Sequence, residues 1–313
     1  MTGSRGETAP SRTLLVAAFA TIYIVWGSTY LAIRWVVAGG PPFLMAAIRF
    51  LIAGALLYGW SWWRSRERPT ALHWRTAWVV GALLLCGGNA AVSWSVQYVP
   101  SGLASLVIAA TPLWLVIVQR VGPMQRQPSL PELAGVVVGL AGVALLVWPS
   151  GGATGRLIDP VAAITLLTGC LSWAIGSLYA RTAPVPSHST MAPAMQMLCA
   201  SVLLFVMAFL HGDLRDFHPL AVPALSWWSL LYLIVAGSLL GFTAFSWLMR
   251  VASPTMVGTY AYVNPVVAVL LGVLLGGEAL PSRAVLATIV IVGGVALVSM
   301  APWLVSNRRP LAA

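Results

Sequence analysis

Residues 26–34 read WGSTYLAIR and residues 173–181 read WAIGSLYAR, so a tryptophan, a serine, a tyrosine and an arginine recur in one order 147 positions apart. The interval from the tryptophan to the arginine is eight residues in both stretches. An ungapped match of this kind indicates an internal repeat. The architecture of that repeat follows from the rest of the chain.

The composition is that of an integral membrane protein. Apolar residues make up 59% and charged residues 8% of the 313 positions, and the mean hydropathy is +0.90. A water-soluble domain of this composition would lack polar side chains for its surface. Apolar runs of about 18 to 24 residues can cross a bilayer as helices. Ten such runs occur, at 14–36, 42–63, 76–98, 102–119, 131–148, 158–180, 191–210, 226–249, 254–275 and 281–304. We interpret the first run as a span rather than a signal peptide, because it is long and lacks a small-residue cleavage site.

A second set of matches divides the chain into two copies of five spans. Five identical pairs share an offset of 153 residues: Trp74 and Trp227, Gly88 and Gly241, Ser93 and Ser246, Trp94 and Trp247, and Pro112 and Pro265. An insertion of about six residues in the polar loop 211–219 explains the change from the first offset. The predicted copies are residues 1–150 and 151–313. Because each copy has an odd number of spans, the second enters the membrane from the opposite side. The sequence therefore predicts an all-α membrane protein with ten transmembrane helices in two inverted five-helix repeats, an arrangement typical of secondary transporters.

The basic residues predict the orientation and exclude several mechanisms. All seventeen are arginine, which excludes a P-loop and a Schiff-base lysine. With both termini in the cytoplasm, twelve arginines lie inside and three outside, as expected for a protein of the cytoplasmic membrane. The inside set is Arg5, Arg12, Arg64, Arg66, Arg68, Arg75, Arg120, Arg126, Arg181, Arg250, Arg308 and Arg309, and the outside set is Arg156, Arg215 and Arg283.

No other class of site is indicated. The four histidines are isolated and the three cysteines lie within apolar runs, so we expect no metal site, no cofactor and no disulfide framework. The arginines are scattered between the spans, so the net charge of +10 does not indicate binding to nucleic acid. A channel would need a pore ring, and a membrane enzyme would need clustered acids, bases or metal ligands. All seven acidic residues lie in tails, in loops or at span ends, which predicts facilitated diffusion or exchange rather than proton coupling.

Polar and aromatic residues within spans are the candidates for a central cavity, because hydrocarbon cannot hydrogen-bond them. Asn89, Ser93 and Gln97 recur at intervals of four residues and form one stripe. Arg49 lies about 10 Å along its helix from Pro42, so it is a candidate ligand for a substrate anion or an internal partner. The predicted substrate-binding residues are Trp26, Tyr30, Arg49, Asn89, Ser93, Trp173, Ser177, Thr259, Tyr260, Tyr262 and Asn264. Pro112 and Pro265 are candidate hinges, with a static kink as the alternative.

The chain resembles the drug/metabolite transporter superfamily, and within it the ten-span transporters with two EamA-type repeats. The resemblance rests on WGSTYLAIRW at 26–35, PPFLMAAIRF at 41–50, YVPSGLASLVIAATPLW at 98–114 and AYVNPVVAVLLGVLLGGE at 261–278. It covers nearly the whole chain. It implies efflux or exchange of small organic metabolites, and the family includes exporters of aromatic amino acids.

The candidate cavity residues favour an amphipathic and mostly neutral substrate. Aromatic or hydrophobic amino acids fit best, because their side chains stack on rings while the zwitterionic end takes hydrogen bonds. Flat neutral metabolites such as nucleosides or drugs are the alternative, and sugars or nucleotide sugars fit less well. The expected partners are this substrate and membrane lipid, with a monomer favoured and a dimer left open.

Overall fold

The computed structural model describes residues 11–121, 127–148, 158–215, 217–252 and 254–306, with the backbone alone for 254, 255, 262 and 302–306. The described chain is helical and contains no strand. We number the helices α1 Arg12–Gly39, α2 Pro42–Ser65, α3 Ala71–Ser95, α4 Ser101–Val121, α5 Leu130–Val147, α6 Pro160–Thr182, α7 Met191–His211, α8 Ala224–Val251, α9 Tyr260–Leu274 and α10 Ser282–Ser306. The predicted boundary between the two copies lies outside these residues.

Nine helices of the described chain are long and apolar enough to cross a membrane, and α9 is the exception. The ninth apolar run consists of a one-turn helix, Pro254–Val257, and the 15-residue α9. Between them Thr259 N donates to the Met256 carbonyl at 3.2 Å, a tight turn that ends the first helix. The prediction of ten apolar runs therefore corresponds, in the described chain, to nine segments long enough to span a membrane and a tenth in which a single helical turn precedes a shorter helix.

Helix packing follows the repeat. Helices α2 and α7 are equivalent and pack on each other, as do α5 and α10. Contacts between non-equivalent helices occur twice, once for each half. Helix α1 packs on α8 as its equivalent α6 packs on α3, and α9 packs on α1 as its equivalent α4 packs on α6. This exchange of partners is what a pseudo-twofold axis between inverted copies produces.

Small residues let α5 and α10 approach closely. A Cβ at Gly135 would lie 2.6 Å from the carbonyl oxygen of Gly294, and one at Gly142 would lie 2.7 Å from Ile291 Cγ1. Close backbone approach at glycine is a common means of packing helices within membranes. The GVVVG segment at 135–139 thus serves packing within the chain.

Carboxylates join the two halves at both ends of α2 and α7. Asp213, just after α7, accepts hydrogen bonds from the backbone N–H groups of Phe43 and Leu44 at the start of α2, both at 2.9 Å. Glu67, just after α2, accepts from the N–H groups of Ser187 and His188 before α7, at 2.8 and 2.9 Å. Asp213 thus caps the start of α2, and Glu67 fixes the loop that leads into α7.

The two ends of the bundle are named here by residues at each. The Glu278 end holds the turn between α9 and α10. The odd-numbered helices α1 to α9 terminate there, and the even-numbered helices start there. The Arg181 end is opposite and holds the end of α6.

Wide π-helical turns interrupt three of the helices. They comprise Thr21–Val25 in α1, Gly81–Asn89 in α3 and Leu233–Phe242 in α8. The segments in α3 and α8 coincide to within one residue when the offset of 153 residues is applied. Such turns leave carbonyl groups free for other partners and are frequent at functional sites.

Candidate functional site

A central cavity of about 80 Å³ lies between the two halves. In this conformation its volume is below about 300 Å³, the lower end of the usual range for a small-molecule site. Seven helices contribute side chains: α1, α2, α3, α4, α6, α8 and α9. The residues lining the cavity are Trp26, Thr29, Tyr30, Ile33, Arg49, Phe50, Leu85, Gly88, Asn89, Val92, Ile108, Thr111, Gly169, Cys170, Trp173, Gly237, Phe242, Tyr260 and Asn264.

Four rings form an aromatic wall between the central cavity and the Arg181 end. Trp26 meets Trp173 edge to face, with centroids 5.7 Å apart, and meets Tyr260 edge to face at 5.5 Å. Phe245 contacts Trp26 at 5.0 Å and Trp173 at 5.7 Å. Aromatic pairs at these distances are attractive, so the rings hold one another in place.

The repeat positions both tryptophans by the same device. Trp173 lies against Gly88 of α3, where a Cβ would be 2.7 Å from Cε3 of the indole. Trp26 lies against Gly241 of α8, where a Cβ would be 2.6 Å from Nε1. Gly88 and Gly241 are equivalent positions, so each half provides the surface on which the other half's tryptophan packs.

The wide turns also hold the wall. The indole Nε1 of Trp26 donates to the carbonyl of Gly237 in the π segment of α8, at 3.3 Å. In the other half, the Ser172 hydroxyl beside Trp173 donates to the carbonyl of Leu83 in the π segment of α3, at 2.7 Å. Carbonyls left free by the wide turns therefore bind side chains of the partner half.

Arg49 of α2 is 5% exposed and faces the central cavity. Its Nε donates to the Ser238 hydroxyl at 2.8 Å, and its Nη1 lies 3.5 Å from Oδ1 of Asn89. Among the described residues no carboxylate lies within 4 Å of its guanidinium. An arginine has five N–H donors, and these two neutral partners use only two of them, so further donors remain for a bound anion.

Asn264 of α9 also ties the wall to α1. With the amide nitrogen oriented towards α1, it donates to the carbonyls of Ile22 and Tyr23, both at 3.0 Å. These carbonyls belong to the π segment of α1. The side chain is 3% exposed, so this pair of bonds fixes the position of α9 at the cavity.

The EamA-like transporter family matches the chain twice, over residues 13–148 and 160–300. The chain belongs to the EamA-like transporter family. It is 39% identical over 292 residues to the "Uncharacterized inner membrane transporter YedA" of Escherichia coli strain K12, covering 93% of this chain and 92% of that one. It is 26% identical to "Uncharacterized transporter YvbV" of Bacillus subtilis strain 168, over 92% of both chains.

Two further comparisons extend the likeness. A protein of E. coli K12 named "Probable amino-acid metabolite efflux pump" is 24% identical over 285 residues, covering 87% of this chain and 90% of its own. A crystal structure with 24% identity has a TM-score of 0.65 and covers 95% of this chain and 99% of that one, which shows the shared fold. This EamA transporter is therefore a multi-pass inner-membrane protein with the two-repeat architecture, and an enzymatic role is not indicated by any of these relatives.

The structure brings seven of the predicted residues of the EamA transporter to the central cavity: Trp26, Tyr30, Arg49, Asn89, Trp173, Tyr260 and Asn264. Three others lie elsewhere. Ser93 and Ser177 are each one helical turn beyond a cavity residue, at opposite ends. Thr259 precedes α9 and bonds the Tyr23 hydroxyl at 2.5 Å. The side chain of Tyr262 lies outside the described residues.

The candidate hinge prolines occupy different local structures in the two halves. Pro112 is in the first turn after a break at Ala109–Ala110 that divides α4 into Ser101–Ile108 and Thr111–Val121. Pro265 lies inside the continuous helix α9. Both positions lack a backbone donor, and whether either moves during transport stays a prediction.

Sequence reasoning missed Phe242 and Phe245. Neither residue is polar, so neither is conspicuous within an apolar run. The offset of 153 residues contained the signal, because it relates Phe242 to Asn89 and Phe245 to Val92, and both of those partners line the cavity.

Proposed function

We propose that this EamA transporter exports or exchanges aromatic and hydrophobic amino acids across the inner membrane by alternating access. The observation that carries the proposal is the pairing, across one cavity, of a wall of four aromatic rings with a buried arginine that has no carboxylate partner among the described residues. A zwitterion with an apolar side chain complements both features.

The aromatic wall is suited to the substrate's side chain. Trp26, Trp173 and Tyr260 present rings to the cavity, and a substrate ring packed on them would gain about 0.5–1.5 kcal/mol beyond the burial of its apolar surface. Burial of such a side chain contributes about 1.5–3 kcal/mol. The wall therefore favours a large apolar side chain over a small one.

Arg49 is suited to the substrate's carboxylate. It reaches α8 beside the aromatic wall, since its Nη2 lies 2.9 Å from where a Cβ of Gly237 would be, and Gly237 also accepts the Trp26 indole. A bidentate arginine–carboxylate contact would fix the orientation of a bound amino acid. The substrate ammonium would lie near the aromatic faces, which attract cations, and near the Asn89 carbonyl oxygen.

The charge distribution supports the orientation and mode of transport. The twelve-to-three distribution of arginines supports a cytoplasmic location for both termini and an exterior location for the Glu278 end. No Asp or Glu of the described chain lines the central cavity, which supports facilitated diffusion or exchange over a proton relay. The efflux pump of E. coli named for amino-acid metabolites is a relative with a compatible substrate class.

A counterflow assay in proteoliposomes tests the proposal. Vesicles preloaded with one unlabelled solute are diluted into the same labelled solute, for a panel of aromatic, aliphatic and acidic amino acids, nucleosides and sugars. We expect accumulation of phenylalanine, tryptophan and tyrosine, weaker accumulation of leucine, and none of glutamate. Accumulation restricted to nucleosides, sugars or strongly anionic solutes would refute the proposal. Empty vesicles and vesicles that hold a heat-inactivated sample are the controls.

A further inference from the structure

The carboxylate of Glu278, in the turn between α9 and α10, binds two other helices. Its Oε1 accepts from the backbone N–H and the hydroxyl of Ser101, at 2.8 and 2.6 Å, and its Oε2 accepts from the N–H of Gly102 at 3.0 Å. Arg34 of α1 completes the set with an ion pair to Oε1. The Glu278 side chain is 4% exposed, so water scarcely competes for these bonds.

The local backbone is shaped to deliver this carboxylate. Gly277 adopts a φ of 60°, a left-handed conformation that glycine takes without steric cost. A Cβ at Gly272 would lie 2.6 Å from Oε2 of Glu278, so only glycine leaves room for the carboxylate against α9. Gly272, the first glycine of the GVLLG segment at 272–276, therefore leaves the space in which the carboxylate of Glu278 lies.

The latch, defined as Glu278 with Arg34, Ser101 and Gly102, joins elements that also line the central cavity. The cavity is bounded by Ile33 beside Arg34 in α1, by Ile108 in α4 and by Asn264 in α9. Separation of α1, α4 and α9 at the Glu278 end would open the cavity there, and it would require loss of all these bonds to one carboxylate.

Among the described residues, the opposite end of the bundle shows no such ion pair. The internal repeat relates Arg34 to Arg181 by the offset of 147, and Glu278 to Gln125 by the offset of 153. The acid is therefore replaced by an uncharged amide. Arg181 is exposed and has no ion pair with another described residue. Together with Ser177 and Arg250 it borders a pocket that extends to Phe245 of the aromatic wall.

We propose that the Glu278 latch is an exterior gate whose charged set has no counterpart among the described residues at the Arg181 end, where the aromatic wall alone separates the cavity from the cytoplasmic side, so that the empty carrier rests closed to the exterior and loads its substrate from the cytoplasm. The proposal rests on the orientation given under the proposed function, though not on the identity of the substrate. A carrier that rests in this state has different apparent affinities at its two faces, while its net flux still follows the gradient.

Native cysteines provide the test. Cys170 lines the central cavity, so its reaction with an impermeant cationic methanethiosulfonate reports opening. The background protein carries Cys86→Ala and Cys199→Ala, which leaves Cys170 as the single thiol. The rate of modification is measured in vesicles of each orientation for this background, for Glu278→Gln and for Arg34→Gln. Cys170→Ser gives the unreacted baseline.

We expect Glu278→Gln to raise the exterior rate about tenfold or more, because a charged hydrogen-bond set is lost, and Arg34→Gln to raise it less. Asp213→Asn is the matched control. It removes a buried helix-capping carboxylate at the same end whose hydrogen bonds hold α2 rather than α1 or α4, and the exterior rate should stay at the background value. An unchanged exterior rate in Glu278→Gln, an equal rise from both faces, or a rise confined to the cytoplasmic face would overturn the proposal. An equal rise in Asp213→Asn would do so too. Since no transported solute is used, these outcomes are independent of the counterflow result.

Discussion

The indoles of Trp26 and Trp173 meet edge to face at the centre of the molecule, with centroids 5.7 Å apart and planes at 86°. These two residues are equivalent in the internal repeat, and each packs on the equivalent glycine of the other half. A contact between symmetry-related residues lies close to the pseudo-twofold axis. A binding site at that axis is reached equally from either side when the halves exchange conformations.

Removing either indole should weaken substrate binding. We expect Trp26→Ala and Trp173→Ala each to raise the KM for phenylalanine several-fold to about tenfold, because one aromatic contact and part of the buried surface are lost. The measurement is the concentration dependence of counterflow. Trp60→Ala is the control, since Trp60 is 56% exposed on the outside of α2 and should leave the KM unchanged. Normal kinetics in both cavity variants would contradict the assignment of the site.

Replacement of Arg49 should affect carboxylate recognition more than ring recognition. We expect Arg49→Gln to weaken binding of phenylalanine about tenfold or more, in line with loss of a charged hydrogen bond. Arg49→Lys should recover part of the affinity, because lysine keeps the positive charge. Recovery should be incomplete, because an ammonium cannot make the bidentate contact. Arg64→Gln, an exposed arginine near the end of α2, provides the control. Equal affinities for wild type and Arg49→Gln would exclude Arg49 from the site.

Methyl groups at the two equivalent glycines should displace the wall. In Gly88→Ala and Gly241→Ala the new Cβ would lie 2.7 and 2.6 Å from the facing indole, too close without a shift of the ring. We expect both variants to lose most of their transport while staying folded in detergent. Gly59→Ala introduces the same methyl group where no atom lies within 4 Å, and it should transport normally. Full transport by Gly88→Ala would indicate that the position of Trp173 is unimportant.

The pH dependence of the latch follows from the ionisation of Glu278. Burial raises the pKa of this carboxyl, but hydrogen bonds from Ser101, Gly102 and Arg34 outweigh that effect and lower the pKa below its ordinary 4.5. A carboxylate with a lowered pKa contributes fully above its ordinary pKa and is lost as pH falls through the lowered value. The rate of Cys170 modification from outside should therefore be constant between about pH 5.5 and 8, after correction for the change in the thiolate fraction of Cys170 with pH. A steep rise within that interval would contradict this assignment of charge.

The orientation can be tested at the loop after α7. Arg215→Cys, in the background without native cysteines, should react with an impermeant thiol reagent added to intact spheroplasts, because the arginine distribution places this loop outside. Reaction that occurs only after the cytoplasmic face is exposed would invert the topology. A cysteine in place of Ser187 between α6 and α7 should give the opposite pattern.

The sequence was sufficient for the fold and for the paired tryptophans, because both depend on periodicities that a single chain displays. The lengths of the apolar runs predicted the helices, and the offsets of 147 and 153 residues predicted the internal repeat. The polar stripe was less reliable: Ser93 is one turn beyond Asn89 and faces a small void next to Arg49, because the cavity ends between them. Ser177 lies beyond Trp173 for the same reason, since the aromatic wall separates it from the cavity.

The bonds that hold the site could not be derived from residue spacing. The carbonyls of Gly237, Leu83, Ile22 and Tyr23 become acceptors through wide turns, which depend on how neighbouring helices pack. The latch joins Glu278 to residues 177 and 176 positions away at the start of α4, and only the folded chain brings them together.

Direct binding of labelled L-tryptophan to the purified protein tests the central claim, that one cavity recognises both an aromatic ring and a carboxylate. Displacement is measured with unlabelled tryptophan, with tryptamine, which lacks the carboxylate, and with alanine, which lacks the ring. We expect tryptophan to displace the label best, and tryptamine and alanine each to require at least about tenfold higher concentrations. Tryptamine or alanine as effective as tryptophan, or no saturable binding of tryptophan at all, would contradict it.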